Sequence, residues 1–148
     1  MARFLQLALR AIDSVALKLG RANPERIAEH QSTGAAGEEL AFFHLQEKGY
    51  TIVARNWRTP RKHGEIDLIG WDGDMLCFVE VKTRSTRAVK PAEAAVDYEK
   101  RRTLSAVARD YMRRMPSRPS YRFDIVSVYC EVDAAPEITL FKNAFPMT

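Results

Sequence analysis

The chain has 148 residues, 46% of them hydrophobic, enough for one domain with a real core and too few for two. Its 23 Lys plus Arg against 19 Asp plus Glu leave a net charge of only +4, but the basic residues gather at 55–62, 84–90 and 100–118, a distribution that points to a polyanionic partner. Only Cys77 and Cys130 occur, both in apolar runs, which argues against a disulfide framework or a thiolate metal site and fits a reducing cytoplasm.

Leu5, Ala8, Leu9, Ile12, Val15, Ala16 and Leu19 recur at helical spacing opposite Arg10 and Asp13, so residues 2–20 read as an amphipathic helix stopped by Gly20 and Pro24. Its charges interrupt any signal-like run, and no stretch is long enough to span a bilayer; the helix is expected to pack on the domain, on a protein partner or on a membrane surface. Residues 21–33 read as a polar linker, which divides the chain into an N-terminal segment, 1–33, and a main domain, 34–148. A second helix is expected over 35–48, with Glu38 in the middle of the stripe formed by Ala41, Phe42 and Leu45, and Glu39 pointing away. An acid in a first turn is also favoured by the helix dipole, which explains Glu38 without any function.

A strand over Tyr50–Asn56 and a basic loop through Pro60 to His63 follow. Two apolar strand runs then flank Asp72-Gly73-Asp74, a hairpin signal. Alternation places Glu65, Asp67, Ile69 and Trp71 on one face of the first, and Leu76, Phe78, Glu80 and Lys82 on one face of the second. Turn residues Asp72-Gly73 would set Asp67 opposite Phe78 and Glu65 opposite Glu80. Turn residues Gly73-Asp74 would set Asp67 opposite Glu80 and Glu65 opposite Lys82. Opposed Cβ atoms lie about 5 Å apart and diagonal ones about 7 to 8 Å, so either register gathers the four charged residues on one face. Residues 83–96 read as a loop suited to contacting nucleic acid. A helix over Asp97–Met115 puts Lys100 in the inward row of Leu104, Val107 and Tyr111, with Arg102, Arg109 and Arg113 outside; Lys100 either snorkels or reaches a phosphate. A buried strand over Tyr121–Tyr129, containing Asp124, and a short edge strand over Ile138–Phe141 complete the chain.

Acids inside apolar strands need a cation or an ion-pair partner. Mg²⁺ and Mn²⁺ take carboxylate, carbonyl and water oxygens, and Asp67, Glu80 and the Val81 carbonyl supply such a set, with Glu38 binding directly or through water. Lys82 shares the face of Glu80, where it can orient an attacking water and stabilise charge on a phosphate undergoing hydrolysis. Arg55, Arg58, Arg61, Lys62, Arg84 and Lys100 are the expected contacts to a nucleic-acid backbone. His30, His44 and His63 lack metal-ligand spacing, and there is no nucleophile motif and no glycine-rich phosphate loop.

Gly34-Ala-Ala-Gly-Glu-Glu-Leu-Ala, Arg55-Asn-Trp-Arg-Thr before Gly64-Glu-Ile-Asp-Leu-Ile, Phe78-Val-Glu-Val-Lys-Thr-Arg and Arg122-Phe-Asp-Ile-Val together resemble the YraN family of bacterial proteins, from about Gly34 to Phe141. Glu-x-Lys alone would be a weak signal; the combination is specific. That family is similar to the restriction-endonuclease-like nucleases, archaeal Holliday junction resolvases in particular. The resemblance implies an α/β fold with a mixed β-sheet flanked by α-helices, and matches Glu38, Asp67, Glu80 and Lys82 to the helix Glu, strand Asp and Glu-x-Lys of the nuclease motif. It further implies a divalent-metal-dependent endonuclease acting on DNA, branched or junction DNA included, and a homodimer. Residues 1–33 lie outside the family pattern. Two other readings stand beside it: a nucleic-acid-binding module that keeps the fold without turnover, and a buried structural ion pair.

Overall fold

The structure, a computed structural model, describes residues 25–85 and 96–148. The helix expected over 2–20 and residues 86–95 of the loop expected over 83–96 lie outside the described residues, as do the side chains of His30, Lys62 and His63. The elements are α1 (Glu25–Glu47), β1 (Thr51–Thr59), β2 (Lys62–Asp72), β3 (Met75–Arg84), α2 (Tyr98–Arg113), β4 (Tyr121–Tyr129) and β5 (Glu137–Phe145).

The five strands form one sheet in the order β1-β2-β3-β4-β5. The first three make an antiparallel meander, β3 and β4 run parallel with α2 in the connection, and β5 returns antiparallel as an edge strand. A parallel pair requires a crossover of this kind. Alternation along β3 divides the core. Leu76 and Phe78 pack with Leu104, Val107, Ala108 and Met112 of α2, while Cys77, Val79 and Val81 pack with Ala41 and Leu45 of α1. The chain is thus a mixed sheet with a helix on each face, the α/β architecture expected of a restriction-endonuclease-like fold.

Four boundaries differ from the expectation. Thr83 and Arg84, read as the start of the loop over 83–96, are the last residues of β3. Residues 25–33, read as linker, belong to α1, because Glu, Arg, Ala and Gln are good helix formers and polarity alone does not end a helix. The basic loop over 60–63 is a turn at Pro60 and Arg61 between β1, which continues through Thr59, and β2, which opens at Lys62. The last strand covers nine residues rather than four. The Gly73-Asp74 register is the one adopted: Asp72 pairs Met75, and the ladder continues through Trp71↔Leu76, Gly70↔Cys77 and Ile69↔Phe78 to Leu68↔Val79.

The far side of the sheet is tied by a polar network with no solvent access at its centre. Asp124, fully buried, accepts from Tyr50 Oη at 3.0 Å, from Arg122 Nε at 2.8 Å and from the Asn143 amide at 2.9 Å. Arg122 also reaches Asp72 at 2.6 Å, and Lys142 joins Asp72 at 2.9 Å. Every charge here has a partner, so the network ties the chain after α1 to β4, β5 and the hairpin turn. Both cysteines are free thiols, raised by burial, Cys77 to about 12, as suits packing residues rather than ligands.

Candidate active site

The β2–β3 ladder ends at Leu68↔Val79, one residue short of Asp67 and Glu80, while β2 stays paired to β1 through Trp57↔Ile66 and Arg58↔Glu65. A break in strand alternation sits at this point. Ala54 and Trp57 of β1, three residues apart, pack on the same cluster, as do their partners Ile69 and Ile66 of β2. Strict alternation, which the sequence analysis assumed for Glu65 to Trp71, would put Ile66 and Ile69 on opposite faces. The backbone absorbs the difference at Asn56, whose φ of 47° is left-handed, a conformation that asparagine tolerates better than most residues.

Asp67 lies in the fork opened between β2 and β3. Only 7% exposed, it replaces the missing ladder with one bond: its Oδ2 accepts the Val81 amide at 2.8 Å. Burial, then the negative charge of Glu80, pushes its carboxyl up to about 8, against the Val81 hydrogen bond, which favours the ionised form. Glu80 is more enclosed still, with a side chain 4% exposed. Its Oε1 meets two ammonium groups, Lys82 Nζ at 3.1 Å and Lys100 Nζ at 3.2 Å, while its Oε2 is buried with no hydrogen-bond partner.

Glu38 reaches the same locality from α1, brought close because Gly37 rests against Thr83 of β3, leaving no room for a side chain. Its carboxyl is raised by burial and then by Glu65, and Glu80 adds to this, while a hydrogen bond from Asn56 and the charge of Arg55 oppose. Glu38, Asp67, Glu80 and Lys82 therefore converge as the sequence implies. Lys100 joins them by its ion pair to Glu80 rather than by snorkelling. Asn56 belongs with them too and went unread in the sequence, where it stood as the last residue of the expected strand rather than inside one.

The basic residues divide. Arg55 pairs Glu39 and Arg58 pairs Glu65, each at 2.6 Å and each partly or largely exposed, which makes them weak and exchangeable partners. Arg61 sits exposed in the β1–β2 turn. Arg84 follows Lys82 along β3, its Nε buried without a partner. Lys62 opens β2, its side chain outside the described residues.

The groups able to hold a cation are the carboxylates of Asp67 and Glu80 and the Val81 carbonyl. The N–H and C=O of a strand residue open to the same edge, so that carbonyl faces the fork with the amide that Asp67 accepts. The orphaned Glu80 Oε2 and the raised Asp67 leave two buried carboxyl groups with oxygens that the two lysines on Glu80 Oε1 do not satisfy. Among the described residues no three His, Cys, Asp or Glu side chains are grouped so that they could hold a metal ion between them. A hard divalent ion does not need such a group, since water and substrate oxygens fill its remaining positions.

No helix among the described residues is long and apolar enough to cross a membrane. The family described as Uncharacterised protein family UPF0102 matches residues 37–128, which include every residue of this site. A UPF0102 protein of Koribacter versatilis is 51% identical over 142 residues, 96% of this chain and 94% of its own length. No more than six of the 148 residues thus fall outside that alignment, and most of the N-terminal segment is shared with this relative. UPF0102 proteins of Solibacter usitatus, 50% identical over 78% of this chain and 86% of their own, and of Porphyromonas gingivalis, 38% identical over 82% and 89%, are similar as well. With the family's matched segment spanning the fork and its acids, the chain belongs to the UPF0102 family, the YraN family that its motifs resemble.

Proposed function

We propose that the protein is a divalent-metal-dependent endonuclease that hydrolyses phosphodiester bonds in DNA, branched or junction DNA in particular. The observation that carries this reading is the buried Glu80 Oε2, left without a hydrogen-bond partner beside the buried Asp67, an oxygen open to a further cation although Oε1 already meets two lysines. Asp67, Glu80 and the Val81 carbonyl are the groups to hold Mg²⁺ or Mn²⁺, with Glu38 joining directly or through water. When bound, such an ion supplies a Lewis acid for the phosphoryl oxygens and lowers the pKa of an attacking water.

The chain's own residues do the rest. Lys82, kept in place by Glu80 at 3.1 Å, orients the attacking water and offers positive charge where negative charge develops on the phosphoryl oxygens. Glu38, held by Asn56, is placed to order a water on the helix side of the fork. Arg55, Arg58, Arg61, Lys62 and Arg84 steer the backbone; the two arginines in ion pairs exchange Glu39 and Glu65 for phosphates at little cost. A homodimer suits a four-way junction, which presents two related strands.

The test is cleavage of labelled duplex, single-stranded, flap and four-way-junction DNA with Mg²⁺, Mn²⁺ or EDTA, alongside Asp67→Ala and Glu80→Ala. Metal-dependent cutting lost in both variants, with binding retained, is expected. Binding that weakens with salt but ignores metal, with no cutting by the parent, would replace the nuclease by a non-catalytic nucleic-acid-binding module.

A further inference from the structure

We propose that Lys100 is a second active-site lysine, which neutralises Glu80 while no cation is bound and passes to the phosphate of the scissile strand when a divalent cation takes over the charge of Glu80. The inference rests on the nuclease reading above and assigns Lys100 a specific place within it, distinct from a general backbone contact.

The geometry carries the argument. Both ammonium groups approach the same oxygen, Oε1, from different layers: Lys82 from β3 and Lys100 from the first turn of α2. One lysine would suffice for a structural ion pair, and Lys82 already provides it from two residues away on the same strand face. A divalent cation holds both Asp67 and Glu80 ionised, so the two acids and the two lysines then cancel and the ion's own two positive charges remain in excess, which a phosphodiester oxyanion then relieves.

Lys100 is the group free to move. Its side chain is the more exposed of the pair, 34% against 24% for Lys82. Its backbone is anchored independently, because Asp97 caps α2 by accepting the Lys100 amide at 2.9 Å. The long side chain can therefore swing without disturbing the helix, whereas Lys82 is fixed in the centre of the sheet by its pairing with Ser127.

The test titrates the full-length protein with Mn²⁺ alone by calorimetry, then measures junction cleavage at saturating Mn²⁺, for the parent, Lys100→Met and Lys100→Arg. Removing a positive neighbour of the ion is expected to tighten Mn²⁺ binding by Lys100→Met about tenfold, while kcat falls by about a hundredfold. Lys100→Arg is expected to recover part of kcat. A lysine that only neutralised Glu80 would also tighten Mn²⁺ binding on removal but would leave kcat at the parental value. Lys100→Met that binds Mn²⁺ no tighter than the parent, or that cuts at the parental rate, overturns the proposal while leaving the nuclease reading intact. A parent that binds no Mn²⁺ overturns both. Lys100→Gln, polar and of similar reach, takes the place of Met if thermal unfolding shows that the apolar variant has lost its fold.

Discussion

Asp67→Asn, in the absence of metal, is predicted to stabilise the protein, and to do so more as the pH rises. Asparagine keeps an oxygen that can accept the Val81 amide but carries no charge into the fork. The native carboxyl of Asp67 titrates near 8 because of burial and Glu80, whereas in the unfolded chain it titrates near 3.8. Below the lower value both states are protonated. Between the two the folded state holds a proton that the unfolded state has released, so stability falls as pH rises, and above the upper value this group contributes no further slope. At about 1.4 kcal/mol per pH unit of separation, the native state loses on the order of a few kcal/mol across that window. The assay is urea unfolding of parent and variant in EDTA at pH 5 and pH 8.5. The advantage of the variant is expected to widen by that amount at the higher pH. Saturating Mg²⁺ is expected to restore the parent by about 2.7 kcal/mol at a hundred times its dissociation constant, and to leave the variant unmoved. A stability difference that is the same at both pH values would refute the raised carboxyl of Asp67.

Three further substitutions probe the supports of the site. Gly37→Ala drives a methyl group into Thr83 Oγ1 and to 2.9 Å from Thr83 Cβ, an overpacking expected to cost about 1 to 3 kcal/mol; a shift in urea midpoint checks it, and Thr83→Ala in the same chain is expected to recover part. Asn56→Ala and Asn56→Gly both remove the bond to Glu38, so the acid limb of the pH–cleavage profile is expected to move to higher pH in both; only alanine, which resists the left-handed φ of 47°, is expected to lose a further 1 kcal/mol or so of stability. Asp124→Ala leaves Tyr50, Arg122 and the Asn143 amide without their shared acceptor. A loss of about 3 to 5 kcal/mol in urea unfolding is expected, with Mn²⁺ affinity per folded molecule unchanged.

What could be read from the sequence follows from what each signal depends on. Strand and helix periods depend on which side a core lies, so the buried faces of β3 and α2 were legible from Leu76 and Phe78 and from Leu104, Val107 and Tyr111. Edge strands carry a weaker signal because one of their edges needs no partner, and charges there are tolerated. Thus Arg58 looked like the approach to a loop but sits in β1, and Asn143 lies within β5 with a left-handed φ that turns its amide to Asp124. The Tyr50, Arg122 and Asp124 network joins residues more than seventy positions apart, and no local pattern specifies such a pairing.

The acids of the site were legible for the opposite reason: Asp67 and Glu80 stand where the strand pattern asks for apolar side chains. What alternation could not supply was the fork itself. A perfect ladder would have placed Asp67 and Glu80 as an ordinary opposed pair, with the Val81 edge bonded to β2 and closed. Where the faces switch, at Asn56 and its neighbours in β2, β2 stays paired to β1 while its ladder with β3 ends, and the Val81 amide turns to Asp67 with the Val81 carbonyl on the same edge. The acid pair thus sits in a fork rather than in a closed ladder. The functional content lies less in the identity of the acids than in the place where their strands part.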